Sequence, residues 1–243
     1  VSFAASDKAK ERLKKLVPMT DIHDINAALS ETSDALSRVY AKGAVSFGGV
    51  HDVGASVKRL EIGSSLNTVE LLHISYLLTA AARVKNYYED TTDSLTGYFH
   101  ALEPLTPLNT EIKRCILSED EMSDNASGEL RSIRSAMVRQ NEALKVKLNH
   151  ILTSADNKTM LQDSIVTMRN GRYVIPVKQE HRGRVPGIVH DQSGSGATLF
   201  IETQAIVNFN NELRQLELAE KAEMNRILTE LSEGGSGYYH DVV

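Results

Sequence analysis

Tryptophan is absent from this chain of 243 residues, and aromatic residues make up only 5% of it. A surface that grips single strands by stacking bases on rings is therefore poorly supplied. Cys115 is the one cysteine, which excludes an intrachain disulfide framework and a multi-cysteine zinc site and fits a reducing compartment. It reads as a small buried hydrophobe rather than a reactive thiol. No apolar run reaches the roughly 18 residues of a membrane span, and no basic stretch with an apolar core opens the chain. Cytoplasmic placement with no membrane contact is the expectation.

Catalytic and metal-binding patterns are also missing. His23, His51, His73, His100 and His150 are scattered over separate helical segments, and none stands in a zinc spacing such as H-E-x-x-H. Glu111, Glu119, Asp120, Glu121 and Asp124 form an acidic cluster without the residue order of a calcium loop, so helix capping and a solvated turn account for them. No Ser/His/Asp or Cys/His arrangement is legible. The chain alone is expected not to be an enzyme and to hold no cofactor or metal.

What is present is an ordinary globular supply, 41% hydrophobic with a formal net charge of −5, enough for one large domain or two modest ones. The pattern is mostly helical. Residues 4–17 read as helix up to Pro18. Asp21 is an N-cap for a helix to Tyr40, with Ile22, Ile25, Leu29, Leu36 and Val39 on one face. A short helix follows over 51–63, and Ser65 or Asn67 caps another that runs to Tyr88. Pro104 and Pro107 close that section.

From Ser127 the pattern becomes regular: Leu130, Met137, Leu144 and Ile151 recur every seven residues, with Ile133, Val138 and Leu148 in the same stripe. Such a period predicts a long helix in a coiled-coil pair. A second helix is expected over 203–232, with Ile206, Phe209, Leu213, Leu216, Ile227, Leu228 and Leu231 as its stripe. At ~1.5 Å per residue, each is ~40 Å long.

Between them lies a β unit, residues 164–202. Asn170-Gly171 is a strong hairpin signal, because a type I′ turn needs positive φ at both central residues. It joins strands over 165–169 and 172–178, and 185–191 and 197–201 supply two more across the turn 193–196. If the flanking helices pair antiparallel, this sheet sits at their far tip. The predicted fold is therefore α+β and mostly α-helical, made of a helical core (1–126), an ascending lever helix (127–163), a small antiparallel β clamp (164–202) and a descending lever helix (203–232). Residues 233–243 read as a Gly/Ser linker and tail, either an engineered junction or a native helix break. Val1 opens the chain where the pattern already reads as the middle of a helix, so a piece of something longer is expected.

The β unit is also basic. Arg169, Arg172, Lys178, Arg182 and Arg184 stand against Glu180, Asp191 and Glu202, a local excess of positive charge in an acidic chain. Phosphate attraction follows local charge rather than the total. Arg182 and Arg184 on a turn, with Arg169, Arg172, Lys178 and His190 on the sheet, are the candidate nucleic-acid contacts; a solvated surface is the alternative. Nothing places Asn or Gln beside Arg on a groove-sized helix, so base-specific readout is not expected. The segment from Gly194 to Thr198 lacks the lysine of a phosphate-binding loop, which leaves a tight turn or a backbone nest for a phosphate.

Three runs carry a family resemblance: RNGRYVIPVK from Arg169 to Lys178, VHDQSGSGATLFIE from Val189 to Glu202, and NNEL from Asn210 to Leu213. They resemble the MutS-two family, bacterial paralogues of the mismatch-repair ATPase MutS. FAAS from Phe3, DNAS from Asp124 and LRSIR from Leu130 are similar to the same family, so the likeness covers residues 1 to about 232. Thr203 stands where the family usually has Pro, which should alter only how the descending helix starts.

The resemblance implies a helical core, lever helices and a β clamp, followed in the family by a dimerising ABC-type ATPase and a C-terminal Smr nuclease domain, with ATP and magnesium belonging to the ATPase. It implies enclosure of nucleic acid by a homodimer: branched DNA in suppression of recombination, or ribosomal RNA on stalled and collided ribosomes in ribosome quality control. Mismatch recognition is not implied. A structural arm that transmits ATPase motion to a ribosomal or other protein partner is the alternative.

Overall fold

The computed structural model describes residue 4, residues 6–88 and residues 92–236. The chain divides into two compact units, one of the residues up to Ser127 with those from Met224 onward, the other spanning Gly128–Glu223.

The first unit is helical. Ser6 caps α1 (Asp7–Lys14), and Asp21 caps α2 (Ile22–Lys42) by accepting from the backbone N–H groups of His23 and Asp24. Then come α3 (Gly54–Glu61) and α4 (Thr68–Tyr87). Of the two caps expected for α4 it is Asn67 that serves, in a capping box with Glu70 that satisfies two end donors reciprocally. Two short helices, α5 (Thr96–His100) and α6 (Thr106–Cys115), lead into a small antiparallel pair, β1 (Ile116–Ser118) and β2 (Glu121–Met122). The core of this unit includes Leu66, Leu71, Leu78, Ile112 and Met122. The apolar stripe read on α2 stays open: Ile22, Leu29, Leu36 and Val39 are all exposed, and Arg38 is the buried residue of that helix. Its guanidinium pairs with Asp93 at 2.6 Å and lies over the ring of Phe99.

Cys115 is buried among these elements, and burial pushes its thiol up from the ordinary value. The buried hydrophobe expected from the sequence is what the structure has. An aromatic disulfide reagent is expected to titrate this thiol far more slowly in the native protein than in denaturant; equal rates would contradict its burial.

The second unit is built on α7 (Gly128–Thr153), followed by the single turn α8 (Ala155–Lys158), strands β3 (Thr167–Arg169), β4 (Arg172–Lys178), β5 (Gly187–Gln192) and β6 (Thr198–Thr203), and α9 (Val207–Ser236). The strands form an antiparallel sheet in the order β3-β4-β6-β5. One face of the sheet offers Ile175, Val177, Leu199 and Ile201. Leu144, Leu148, Ile151 and Leu152 from the end of α7, with Ile206 just before α9 and Leu213 within it, complete that core. Arg134 pairs with Glu220 and Gln140 donates to Glu212, so this stretch of α9 runs antiparallel to α7. Those side chains are polar, and Val138, expected in the apolar stripe, is exposed.

The descending helix differs from expectation at both ends. Thr203 is the last residue of β6, and α9 starts at Val207. At the other end the helix continues through Gly234 and Gly235, where composition predicts a linker. Each helical glycine costs about 0.5–1 kcal/mol relative to alanine. Burial of Leu231 and the bond from the Leu66 N–H to Ser232 Oγ hold the helix there. The rest of that segment, residues 237–243, lies outside the described residues.

Candidate nucleic-acid interface

The hairpin turn forms as its chemistry demands, with φ of 53° at Asn170 and 73° at Gly171. It sets Arg169 opposite Arg172. The hairpin then folds across the sheet: Arg169 Nε donates to Asp191 Oδ2 at 2.9 Å on the far strand, and its guanidinium lies 4.0 Å over the ring of Phe200. Asn170 Nδ2 reaches the His190 carbonyl.

Beneath that closure sits Glu202, whose side chain is 0% exposed. Arg172 donates to it bidentately, Nε to Oε2 at 2.8 Å and Nη2 to Oε1 at 2.5 Å. Asn210 Nδ2 donates to Oε1 at 2.8 Å, and His190 Nε2 lies 2.6 Å from Oε2. An ionised carboxylate only accepts, so that imidazole nitrogen carries the proton. Burial raises the Glu202 pKa, but the bonds from Arg172, Asn210 and His190 and the charge of Arg172 outweigh it, and the carboxyl titrates below the ordinary range.

Local geometry explains who reaches the carboxylate. The pairing of β5 with β6 shifts between Val189 and Asp191, so His190 is an extra residue in the strand, and such a bulge re-aims a side chain. Asn210 extends the ladder where β6 has diverged from β4, accepting from the Tyr173 N–H and donating to the Tyr173 carbonyl. Asn211 accepts a further bond from Arg172. The three sequence runs that carry the family resemblance thus meet at one buried carboxylate.

This changes what the predicted contacts are free to do. Arg172 and His190 serve Glu202, and Arg169 closes the sheet. Arg182 donates to the carbonyls of Val185 and Gly187 at 3.2 and 3.1 Å and so braces the entry to β5. Lys178 Nζ donates to the Thr159 carbonyl at 3.2 Å, with two further donors to offer. Arg184 is exposed and, among the described residues, has no internal partner. Lys158, also exposed, adjoins Thr159 and lies in what the sequence pattern assigns to the lever helix. Residues 193–196 form a closed turn, with the Gly196 N–H donating to the Ser193 carbonyl and the Thr198 N–H to Ser193 Oγ. Among the described residues no group of three or more His, Cys, Asp or Glu is placed to hold a metal, and no helix is long and apolar enough to cross a membrane.

No family model matches the chain. Curated proteins do. The protein named Endonuclease MutS2 of Lachnospira eligens is 51% identical over 232 residues, 96% of this chain and 30% of that protein. Those of Agathobacter rectalis and Lachnoclostridium phytofermentans are 48% and 47% identical over 237 and 241 residues. The chain spans about 30% of the length of the relatives it matches. With identity this high along nearly all of its own length, and with the motif runs knit into one network, the chain belongs to the MutS2 family.

Proposed function

We propose that this chain is a non-catalytic core, lever and clamp part of a MutS-type ATPase, and that its clamp holds nucleic acid non-specifically through phosphates. In the whole protein the clamp would close as a homodimer on branched DNA or on ribosomal RNA of a stalled ribosome, driven by ATP and magnesium bound in the ATPase part and coupled to the nuclease for which the relatives are named. The observation that carries this reading is the guanidinium of Arg184, exposed and without an internal partner among the described residues, on the same small sheet unit as Lys178. Phosphate contact needs cations not already spent inside the fold.

The reading predicts that Lys178→Glu with Arg184→Glu weakens binding to branched DNA and lowers the slope of log affinity against log salt by about 2, one per lost phosphate contact. The melting temperature should stay near the parent value, since neither residue is buried. An unchanged salt slope would refute the contact. A second reading, an arm that transmits ATPase motion to a ribosomal or other protein partner, draws on the internal use of Arg169, Arg172, Arg182 and His190. Its signature is nuclease-resistant association with little salt dependence.

A further inference from the structure

A cavity of about 270 Å³ opens in the second unit, beside the core of the sheet. Its walls are largely aliphatic, including Ile151, Met160, Leu161, Ile175 and Val185, and Asn157, Thr203, Gln204 and Arg184 are also in its lining. Two of these residues have unmet chemistry. Thr203 is 7% exposed, and its Oγ1 is the one buried side-chain polar atom among the described residues without a hydrogen-bond partner. A hydroxyl left that way opposes folding unless something answers it. The other is Arg184, whose guanidinium is exposed and has no internal partner among the described residues.

The combination narrows the occupant. An apolar side chain would fill the walls but leave the hydroxyl and the guanidinium unanswered, and a fatty acid, whose one carboxylate answers Arg184, would leave the hydroxyl against hydrocarbon. A bare phosphate would answer Arg184 alone. A molecule with flat apolar faces, a polar rim and an attached anion answers all of them, and the volume lies just under the about 300–1,000 Å³ of sites for drug-sized ligands, which suits one base. We infer that the cavity takes the base of a single unpaired nucleotide, with Thr203 Oγ1 bonding the rim of the base and Arg184 holding its phosphate.

This rests on the reading of the unit as a nucleic-acid clamp and adds to it. Phosphate contacts alone do not distinguish paired from unpaired strands, whereas a cavity of this size admits only a base that has left the stack. A base with no partner leaves the stack at least cost, so the cavity selects bulges and branch points. The grip is aliphatic, which fits a chain without tryptophan.

The test uses the 243-residue chain and two duplexes, one with a bulged adenosine and one with a bulged abasic sugar. Both carry the same phosphates. The adenosine duplex is expected to bind about fivefold tighter or more, the effect of removing part of one base's apolar faces from water. Ala205→Phe, which crowds the cavity lining, should abolish the difference and leave abasic binding unchanged. Thr203→Val should narrow it while raising the melting temperature, and Arg184→Glu should weaken both duplexes. Equal binding of the two duplexes by the parent chain overturns the cavity assignment and leaves phosphate clamping intact. A difference that survives both Ala205→Phe and Thr203→Val also overturns it, and binding of neither duplex overturns the clamp reading as well.

Discussion

Glu202→Gln should unfold the β unit at temperatures where the parent protein holds it, at a cost of about 3–5 kcal/mol, the loss seen when one partner of a buried ion pair is removed. The amide keeps the volume and removes the charge. Its NH₂ group then faces donors from Arg172, Asn210 and His190, all of which the carboxylate accepted. Domains are stable by only about 5–15 kcal/mol in total, so such a loss takes a large share. Hydrogen exchange of the amides in β4 and β6 measures it locally. Because the two groups interact, Arg172→Met with Glu202→Leu should be destabilised by less than the two single changes added together. Parent-like protection in Glu202→Gln would show that the network is not what holds the sheet closed.

The same carboxylate gives the unit a pH signature. Its folded pKa is lowered, so it contributes stability that is fully present above the unfolded value of about 4.3 and is lost as pH falls through the lower folded value. The parent protein should therefore lose stability below about pH 4, and Glu202→Gln should show a flatter acid limb. A limb equally steep in both proteins would assign acid unfolding to other carboxylates.

Local chemistry made part of this legible in the sequence. Asn170-Gly171 announced its turn because few residue pairs tolerate positive φ twice in succession, and Asp21 announced its helix because a carboxylate there meets end N–H groups. The long helices followed from their apolar period. The use of the cations did not follow. Arg172 reads as a surface base beside a turn, and its partner stands 30 residues later on another strand, reached only after the hairpin has folded across the sheet. His190 gives no hint that a bulge will turn it inward. One signal was available: Glu202 lies two residues after Phe200 in a strand where Leu199 and Ile201 take the core face, so it shares the face of an aromatic and needs a cationic partner if covered. Gly234 and Gly235 misled in the opposite direction, since packing of Leu231 and Ser232 overrides composition.

Gly187→Ala is expected to cost about 3 kcal/mol, the upper end of what overpacking usually exacts. A Cβ at Gly187 would stand 2.2 Å from the carbonyl oxygen of Glu202 and 2.8 Å from the Thr203 Cα, both backbone atoms of the facing strand. Rotamer change cannot relieve such a contact, so β5 has to move away from β6. That motion opens the pairing of Ile188 with Glu202, draws His190 off the buried carboxylate, and shifts the Gly187 carbonyl that Arg182 braces. Two other glycines separate the causes. Gly171 has a φ of +73° and no neighbour within 4 Å, so Gly171→Ala carries backbone strain alone, while Gly194 has neither a positive φ nor a neighbour and Gly194→Ala should be nearly silent. Melting of the three variants should rank them Gly187, Gly171, Gly194 from most to least destabilised. If Gly171→Ala proved the worst, backbone strain at the turn rather than strand proximity at β5 would limit this sheet.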